Sequence, residues 1–249
     1  MKLPDPWKLK YEQPKDAILF AASQLQGGRL HQEDYFINFN DECFIVADGV
    51  GGMPNGAEAA KLACETAEWA YQLVRQRPFY WNAKDFFLKR IVRSTNMRLW
   101  QKRREPGFAD GLATTLLIFL MTDRRFWVGS VGDSSAFLFR DGIARKLTTE
   151  DVDSHGSLTK VLGVQRLGIV PQIIQESFLV GDAVVLTTDG VARYVSNEEL
   201  AAVLKNTGTT TEHMTEAVAQ ILKTAQKNGS TDNMTALIIK KVATEHARF

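Results

Sequence analysis

Cys43-Phe44-Ile45-Val46-Ala47-Asp48-Gly49-Val50-Gly51-Gly52 is an unbroken apolar run that stops abruptly on a carboxylate followed by glycines. Such a run reads as a strand buried on both faces that delivers Asp48 to the end of a sheet, where glycines leave room for close approach. Two further stretches repeat the pattern. Val184-Val185-Leu186-Thr187-Thr188-Asp189-Gly190 and Trp127-Val128-Gly129-Ser130-Val131-Gly132-Asp133-Ser134 are apolar segments ending on an acid beside glycine. One Asp-Gly alone is ordinary turn chemistry. Three acids at the ends of buried strands require cations or hydrogen bonds to offset their desolvation, and clustered carboxylates suit a hard divalent metal.

Outward from this stretch, Ile18–Ala22 and Tyr35–Phe39 read as strands on its N-terminal side, separated by Gly27-Gly28. Pro4, Pro6 and Pro14 predict an irregular arm before them, over residues 1–16. On the C-terminal side, Asn55 is positioned to cap a helix through Gln76. Its apolar face repeats through Ala59, Leu62, Ala63, Ala67, Ala70, Leu73 and Val74, with Thr66 the polar member. Asn82 is the expected cap of a second helix to Lys102, with Leu88, Ile91, Val92, Thr95 and Leu99 on one face and basic residues filling the rest. Residues 103–111 read as loop.

The period then changes. Thr114–Leu120, Arg125–Val128 and Ser135–Phe139 are β-rich, and Asp141-Gly142 is a hairpin signal. Thr148–Gly156 reads as loop and Ser157–Leu162 as one helical turn. Strands are expected at Ile173–Leu179 and Ala183–Thr188, helices at Asn197–Leu204 after the Ser196/Glu199 capping spacing and at Thr211–Lys227, and a closing strand at Met234–Lys240. Strands in runs, with helices inserted in pairs, exclude a doubly wound parallel sheet. The expected fold class is α+β, a four-layer αββα sandwich of two antiparallel sheets flanked by helices. It forms a single domain over residues 17–243, with a tail at 244–249.

Composition narrows the function. The 249 residues are 45% hydrophobic, enough for a large core without disulfides. Thirty basic and 29 acidic residues leave a formal charge of +1, so no global field favours nucleic acid or an anionic membrane. Cys43 and Cys64 lack paired spacing, and no run is long enough to span a bilayer, which together predict a reduced, cytoplasmic protein, and a monomer is expected. His31, His155, His213 and His246 have no zinc spacing.

A fourth acid, Asp232, precedes the closing strand in Ser230-Thr231-Asp232-Asn233, and Arg29 lies ahead of Gln32-Glu33-Asp34. In this order the segments resemble the metal-dependent serine/threonine phosphatases of the protein phosphatase 2C type, above all their compact bacterial members. The likeness runs from Ser23 to Lys240. It implies two Mn²⁺ or Mg²⁺ ions at one end of the sandwich, with a weak third. Asp48 matches the acid shared by both metals and Gly49 a residue offering its backbone carbonyl. Asp189 and Asp232 match further metal ligands, and Asp34 an acid acting through metal-bound water. Glu33 and Asn233 match supports around them, Asp133 a ligand of the weak third ion, and Arg29 the guanidinium that holds substrate phosphate.

Three positions depart from the pattern. Val50 stands where many relatives carry a histidine acting as general acid, Arg193 stands where many carry an acid four residues after the Asp189 position, and the span between Leu147 and Leu162 is short. The resemblance implies hydrolysis of phosphoserine and phosphothreonine in proteins, with a phosphoprotein substrate and a cognate serine/threonine kinase as partners. The alternatives are a catalytically silent phosphoprotein-binding regulator and a phosphatase of small phosphomonoesters.

Overall fold

Parity along the strands sets the architecture. A computed structural model describes residues 16–52, 55–77, 79, 83–109 and 111–243. Residues 1–15 of the expected arm, Asn82 and the tail 244–249 lie outside them. The elements run β1 (Ala17–Leu25), β2 (Asp34–Phe39), β3 (Cys43–Asp48), α1 (Gly56–Arg75), α2 (Lys84–Lys102), β4 (Leu116–Met121), β5 (Arg125–Val131), β6 (Ser135–Arg140) and β7 (Ile143–Lys146). Then follow β8 (Gln172–Ser177), β9 (Ala183–Thr187), α3 (Asp189–Ala192), α4 (Asn197–Lys205), α5 (Thr211–Lys227) and β10 (Met234–Val242).

Two antiparallel sheets result, ordered β1-β10-β9-β6-β7 and β2-β3-β4-β5-β8. Between them lies a layer built from Phe44 and Val46 of β3, Leu117 and Phe119 of β4, Val184 and Leu186 of β9, and Leu237 and Ile239 of β10. The alternate residues Cys43, Ile45 and Ala47 face the other way, against α1 and α2, and Ala183, Val185, Ala236 and Ile238 face the helices on the opposite side. Because the central strands β3, β4 and β9 are covered on both faces, their sequences read as continuous apolar runs rather than alternating ones. Phe119 is fully buried at the centre, with ring contacts to Phe44, Phe126 and Phe178. The expected four-layer sandwich is the fold observed.

Several local expectations are corrected. Ser157–Leu162 forms no helical turn; Leu158 bridges to Val152 and Leu162 to Thr114, which lays this segment along the sheet end. Asn55 precedes α1 without capping it through its side chain, which instead donates to the carbonyls of Gly107 and Gly111. Asp189 does not end β9 but opens the short helix α3. On α1, the face against the sheet consists of Ala59, Ala60, Ala63, Cys64, Ala67, Ala70, Tyr71 and Val74. These mostly small residues bring the helix close, and the closeness turns Leu73 outward to 43% exposure. The Ser196/Glu199 capping box on α4 forms as expected.

Candidate metal centre

Strand pairing assembles the site. Asp48 ends β3 directly opposite Asp34, the first residue of β2. The backbone of Asp48 is held on both sides: its N–H donates to Thr115 Oγ1 at 3.0 Å, and its carbonyl accepts from Thr115 N at 2.9 Å and from Thr114 Oγ1 at 2.7 Å. With the backbone fixed, the carboxylate projects from the sheet end on a rigid stem. Thr115 Oγ1 also lies 2.9 Å from Ser134 Oγ, tying the β5–β6 turn, and so Asp133, to the same place. Gly132 in that turn adopts φ +103°, and a Cβ there would sit 2.6 Å from Thr115 Cγ2, so any side chain would push Asp133 away from Asp48. Gly49 meets α1 as tightly, since its Cβ would lie 2.4 Å from the Gly56 carbonyl group.

Asp48, Asp133 and Asp189 each bring one carboxylate oxygen within 4.8 Å of the others. Their strands and turn come from separate parts of the chain, and the cost of the encounter appears in their proton affinities. Burial, with the charges of Asp34, Asp189 and Asp133 added, pushes the Asp48 carboxyl well above its ordinary range. Burial and the charge of Asp189 raise Asp133 to about 6, against the opposing pull of Arg193. Carboxylates crowded like this are stable as anions only beside strong positive charge.

Asp34 lies behind them and is buried. Its Oδ2 accepts from Thr235 Oγ1 at 2.6 Å and Thr188 Oγ1 at 2.9 Å, whereas Oδ1 has no hydrogen-bond partner among the described residues. Burial raises this carboxyl to about 7. One oxygen fully bonded and the other orphaned is the disposition of an acid aimed at a cation or its water. All-oxygen donors, clustered anions and this orphaned oxygen fit Mg²⁺ or Mn²⁺, which take carboxylate and water ligands.

Asp232 is not part of the three-acid group. It lines the same cleft, of about 90 Å³, but its Oδ2 accepts from Arg29 Nη2 at 2.6 Å. Arg29 is thus carried over the cleft on the loop between β1 and β2. Asn233 holds that loop: its Oδ1 accepts from Glu33 N at 2.8 Å, and its Nδ2 donates to the carbonyls of Gln26 at 2.8 Å and His31 at 3.0 Å. Glu33 lines the cleft too, its carboxyl raised by burial first of all.

Arg193, the basic residue standing where many relatives carry an acid, reaches this cluster. From the end of α3 it donates Nη2 to Asp133 Oδ2 at 2.6 Å and approaches Asp189 Oδ2 at 3.1 Å. A guanidinium therefore bridges two of the three clustered acids. Val50 and Leu158 complete the cleft with apolar surface. His155 is exposed on the loop beyond, its backbone N–H donating to Asp153 Oδ1. Sequence patterns missed the hydroxyls of Thr115, Thr188 and Thr235, which look like ordinary strand residues. Thr188 adjoins an acid and Thr115 lies across the sheet from one, but Thr235 reaches Asp34 from the opposite sheet and carries no such signal.

Comparison with known proteins shows the family and the fold. The sequence profile of the family described as protein phosphatase 2C matches residues 22–238. The serine/threonine phosphatase stp of Listeria monocytogenes is 23% identical over 229 residues, covering 84% of this chain and 88% of its own. Among solved structures, the Mycobacterium tuberculosis serine/threonine phosphatase PstP/Ppp superposes with a TM-score of 0.76 at 21% identity, over 90% of this chain and 99% of that one. The catalytic domain of the phosphatase PstP in complex with two manganese ions superposes with a TM-score of 0.75 at 23% identity, over 90% of this chain and 98% of that one.

Proposed function

The chain belongs to the protein phosphatase 2C family and is a serine/threonine protein phosphatase, and from that premise we propose that it hydrolyses phosphoserine and phosphothreonine at a two-metal centre in the cleft beneath Arg29. The observation that carries this is the convergence of Asp48, Asp133 and Asp189 within 4.8 Å, in a cleft that also presents Arg29. When bound, a Mn²⁺ or Mg²⁺ pair supplies Lewis-acid activation of water near neutral pH and neutralises phosphate charge.

The chain's own residues supply the rest. Asp48, the Gly49 carbonyl, Asp189 and Asp232 would hold the metal pair, and Asp34, through its free Oδ1, would accept a hydrogen bond from water beside it. Asp133 would hold a third, weaker ion beside them. Arg29, whose side chain is 48% exposed, receives the monoester's oxygens bidentately and holds the phosphorus in line with the attacking water. Asn233 positions Arg29 and Glu33 through its three hydrogen bonds to the 26–33 segment. Val50 carries no proton, so the departing serine or threonine oxygen takes its proton from solvent. No covalent enzyme intermediate is involved. The partners implied are a phosphoprotein and the serine/threonine kinase it opposes. None of the described helices is long and apolar enough to cross a membrane.

The test is purified protein with Mn²⁺ assayed on a phosphothreonine peptide, a phosphotyrosine peptide and small phosphomonoesters. Turnover concentrated on the phosphothreonine peptide, abolished by EDTA and restored by Mn²⁺, is the expected result. Preference for a small phosphomonoester, or binding of the phosphopeptide without turnover, would replace the proposal.

A further inference from the structure

Helix α1 carries a second apolar row on the side away from its sheet. Leu62, Trp69 and Leu73 follow one another at helical spacing, with Trp69 59% exposed. On α2 the facing row is Phe86, Arg90, Arg93 and Met97, and Phe86 is also 59% exposed. The helices are joined by the short segment 76–83 and run antiparallel, so Trp69 lies across from Phe86 and Leu62 across from Met97. Between the rows is an open groove of about 1010 Å³, extended at one end by a recess that reaches Leu73 and Phe79.

The charge around this groove is one-sided. The whole chain carries +1, yet α2 alone holds Lys84, Lys89, Arg90, Arg93, Arg98 and Lys102 against the single acid Asp85. Lys102 is paired with Glu105 and Lys84 is buried. The remaining four, Lys89, Arg90, Arg93 and Arg98, all line the groove, and among the described residues none of them makes an ion pair or a side-chain hydrogen bond. Three other arginines, by contrast, are answered by acids: Arg75 by Glu42, Arg140 by Asp182 and Arg145 by Glu176. The one acid of the groove, Glu65, stands 4.0 Å from Lys61.

We propose that the α1–α2 groove docks an acidic amphipathic helix of a partner protein, its apolar residues seated between Trp69 and Phe86 and its carboxylates paired with Arg90, Arg93 and Arg98. A concave seam between two helices suits a third helix better than a flat bilayer, and its floor from Leu62 to Leu73 is about 16 Å long, roughly three helical turns. A second copy of the chain is disfavoured because the same face would set its unpaired cations against their equivalents. The surface lies on the outside of the helical layer and shares no residue with the carboxylate cleft, so docking there leaves the active site open to substrate.

The experiment uses fluorescence anisotropy with a labelled synthetic helix of about four turns, bearing leucine or phenylalanine at i, i+3, i+4 and i+7 and glutamate at the outer positions. A helix of the same apolar pattern with lysine in place of glutamate serves as the control. The glutamate helix should bind and weaken as NaCl rises, and the lysine helix should not bind. Trp69→Asp and the pair Arg90→Glu with Arg93→Glu should each weaken binding by about tenfold or more, as loss of an aromatic or arginine anchor does. Both variants should keep wild-type turnover of p-nitrophenyl phosphate and the wild-type melting curve, which separates loss of docking from loss of the phosphatase or of the fold. Equal binding of both helices, indifference to the substitutions, binding to phosphatidylserine vesicles with none to the glutamate helix, or concentration-dependent dimerisation lost in Trp69→Asp would each overturn the proposal.

Discussion

Arg193 supplies a fixed positive charge within the carboxylate cluster, and its removal should tighten divalent metal binding. Its Nη2 stands 2.6 Å from Asp133 Oδ2 and 3.1 Å from Asp189 Oδ2. A divalent ion coordinated by either oxygen at about 2.1 Å would lie no more than roughly 5 Å from the guanidinium nitrogen. Because the Arg193 side chain is 43% exposed, water-like screening applies. Two charges repelling one across about 5 Å at a dielectric constant of about 80 cost about 1.7 kcal/mol, reduced to about 1 kcal/mol in 0.1 M salt. Arg193→Gln should therefore lower the Mn²⁺ dissociation constant roughly fivefold in 0.1 M salt and more at low ionic strength, while Arg193→Lys, which keeps the charge, should change it little. Arg193→Asp should go further and create a usable third position at Asp133. The assay is calorimetric titration with Mn²⁺, supported by anomalous diffraction from Mn²⁺-soaked crystals. If Arg193→Gln binds Mn²⁺ no more tightly than the unmodified protein, or if the unmodified protein holds a fully occupied ion on Asp133 at low Mn²⁺, Arg193 is not the competing cation.

Asp48→Asn should lower turnover by several orders of magnitude while leaving the melting curve close to wild type, since it removes charge from the shared ligand and keeps its shape; turnover within tenfold of wild type, by phosphopeptide assay, would contradict the proposed role. Val50→His should accelerate alkyl phosphates far more than aryl phosphates, because leaving-group protonation is worth about 10² to 10⁴ in rate and aryl oxygens need little of it; equal effects on both substrates would remove solvent protonation from the mechanism. Asn233→Ala cuts three hydrogen bonds to the 26–33 segment and should raise KM for phosphopeptide by about tenfold through loss of about 1 to 1.5 kcal/mol of positioning, with a smaller change in kcat. Phe119→Ala empties the centre of the inter-sheet aromatic cluster and should cost about 3 to 5 kcal/mol in urea unfolding, with no change in Mn²⁺ affinity in the folded protein.

The strands and the fold class were legible because they rest on short-range information, whereas the order of strands within each sheet was not. A run such as Cys43–Ala47, short, apolar and closed by Asp-Gly, reads as a buried strand, and the strand-rich runs with paired helices exclude a doubly wound parallel sheet. Asp48 was legible as well, since the abrupt change from apolar residues to Asp-Gly is written in consecutive positions. That Asp48, Asp133 and Asp189 meet was legible from the same strand-end pattern; that Asp232 stands apart from them was not. Asp133 joins Asp48 and Asp189 because a threonine and a serine 19 residues apart bond across the sheet end, while Asp232 is drawn to an arginine 203 residues away. The contact of Arg193 with Asp133 spans 60 residues and was one of several arrangements the sequence allowed. On α1, helical spacing could not separate the two apolar faces, because Leu62 and Leu73 have the same period as the alanines. The close packing that alanine permits against the sheet chose the alanine face for the core and left the leucines and Trp69 to line the groove. Sequence encodes what each segment prefers over a few residues, whereas register and packing between distant segments decide which charges share a site and which surface stays exposed.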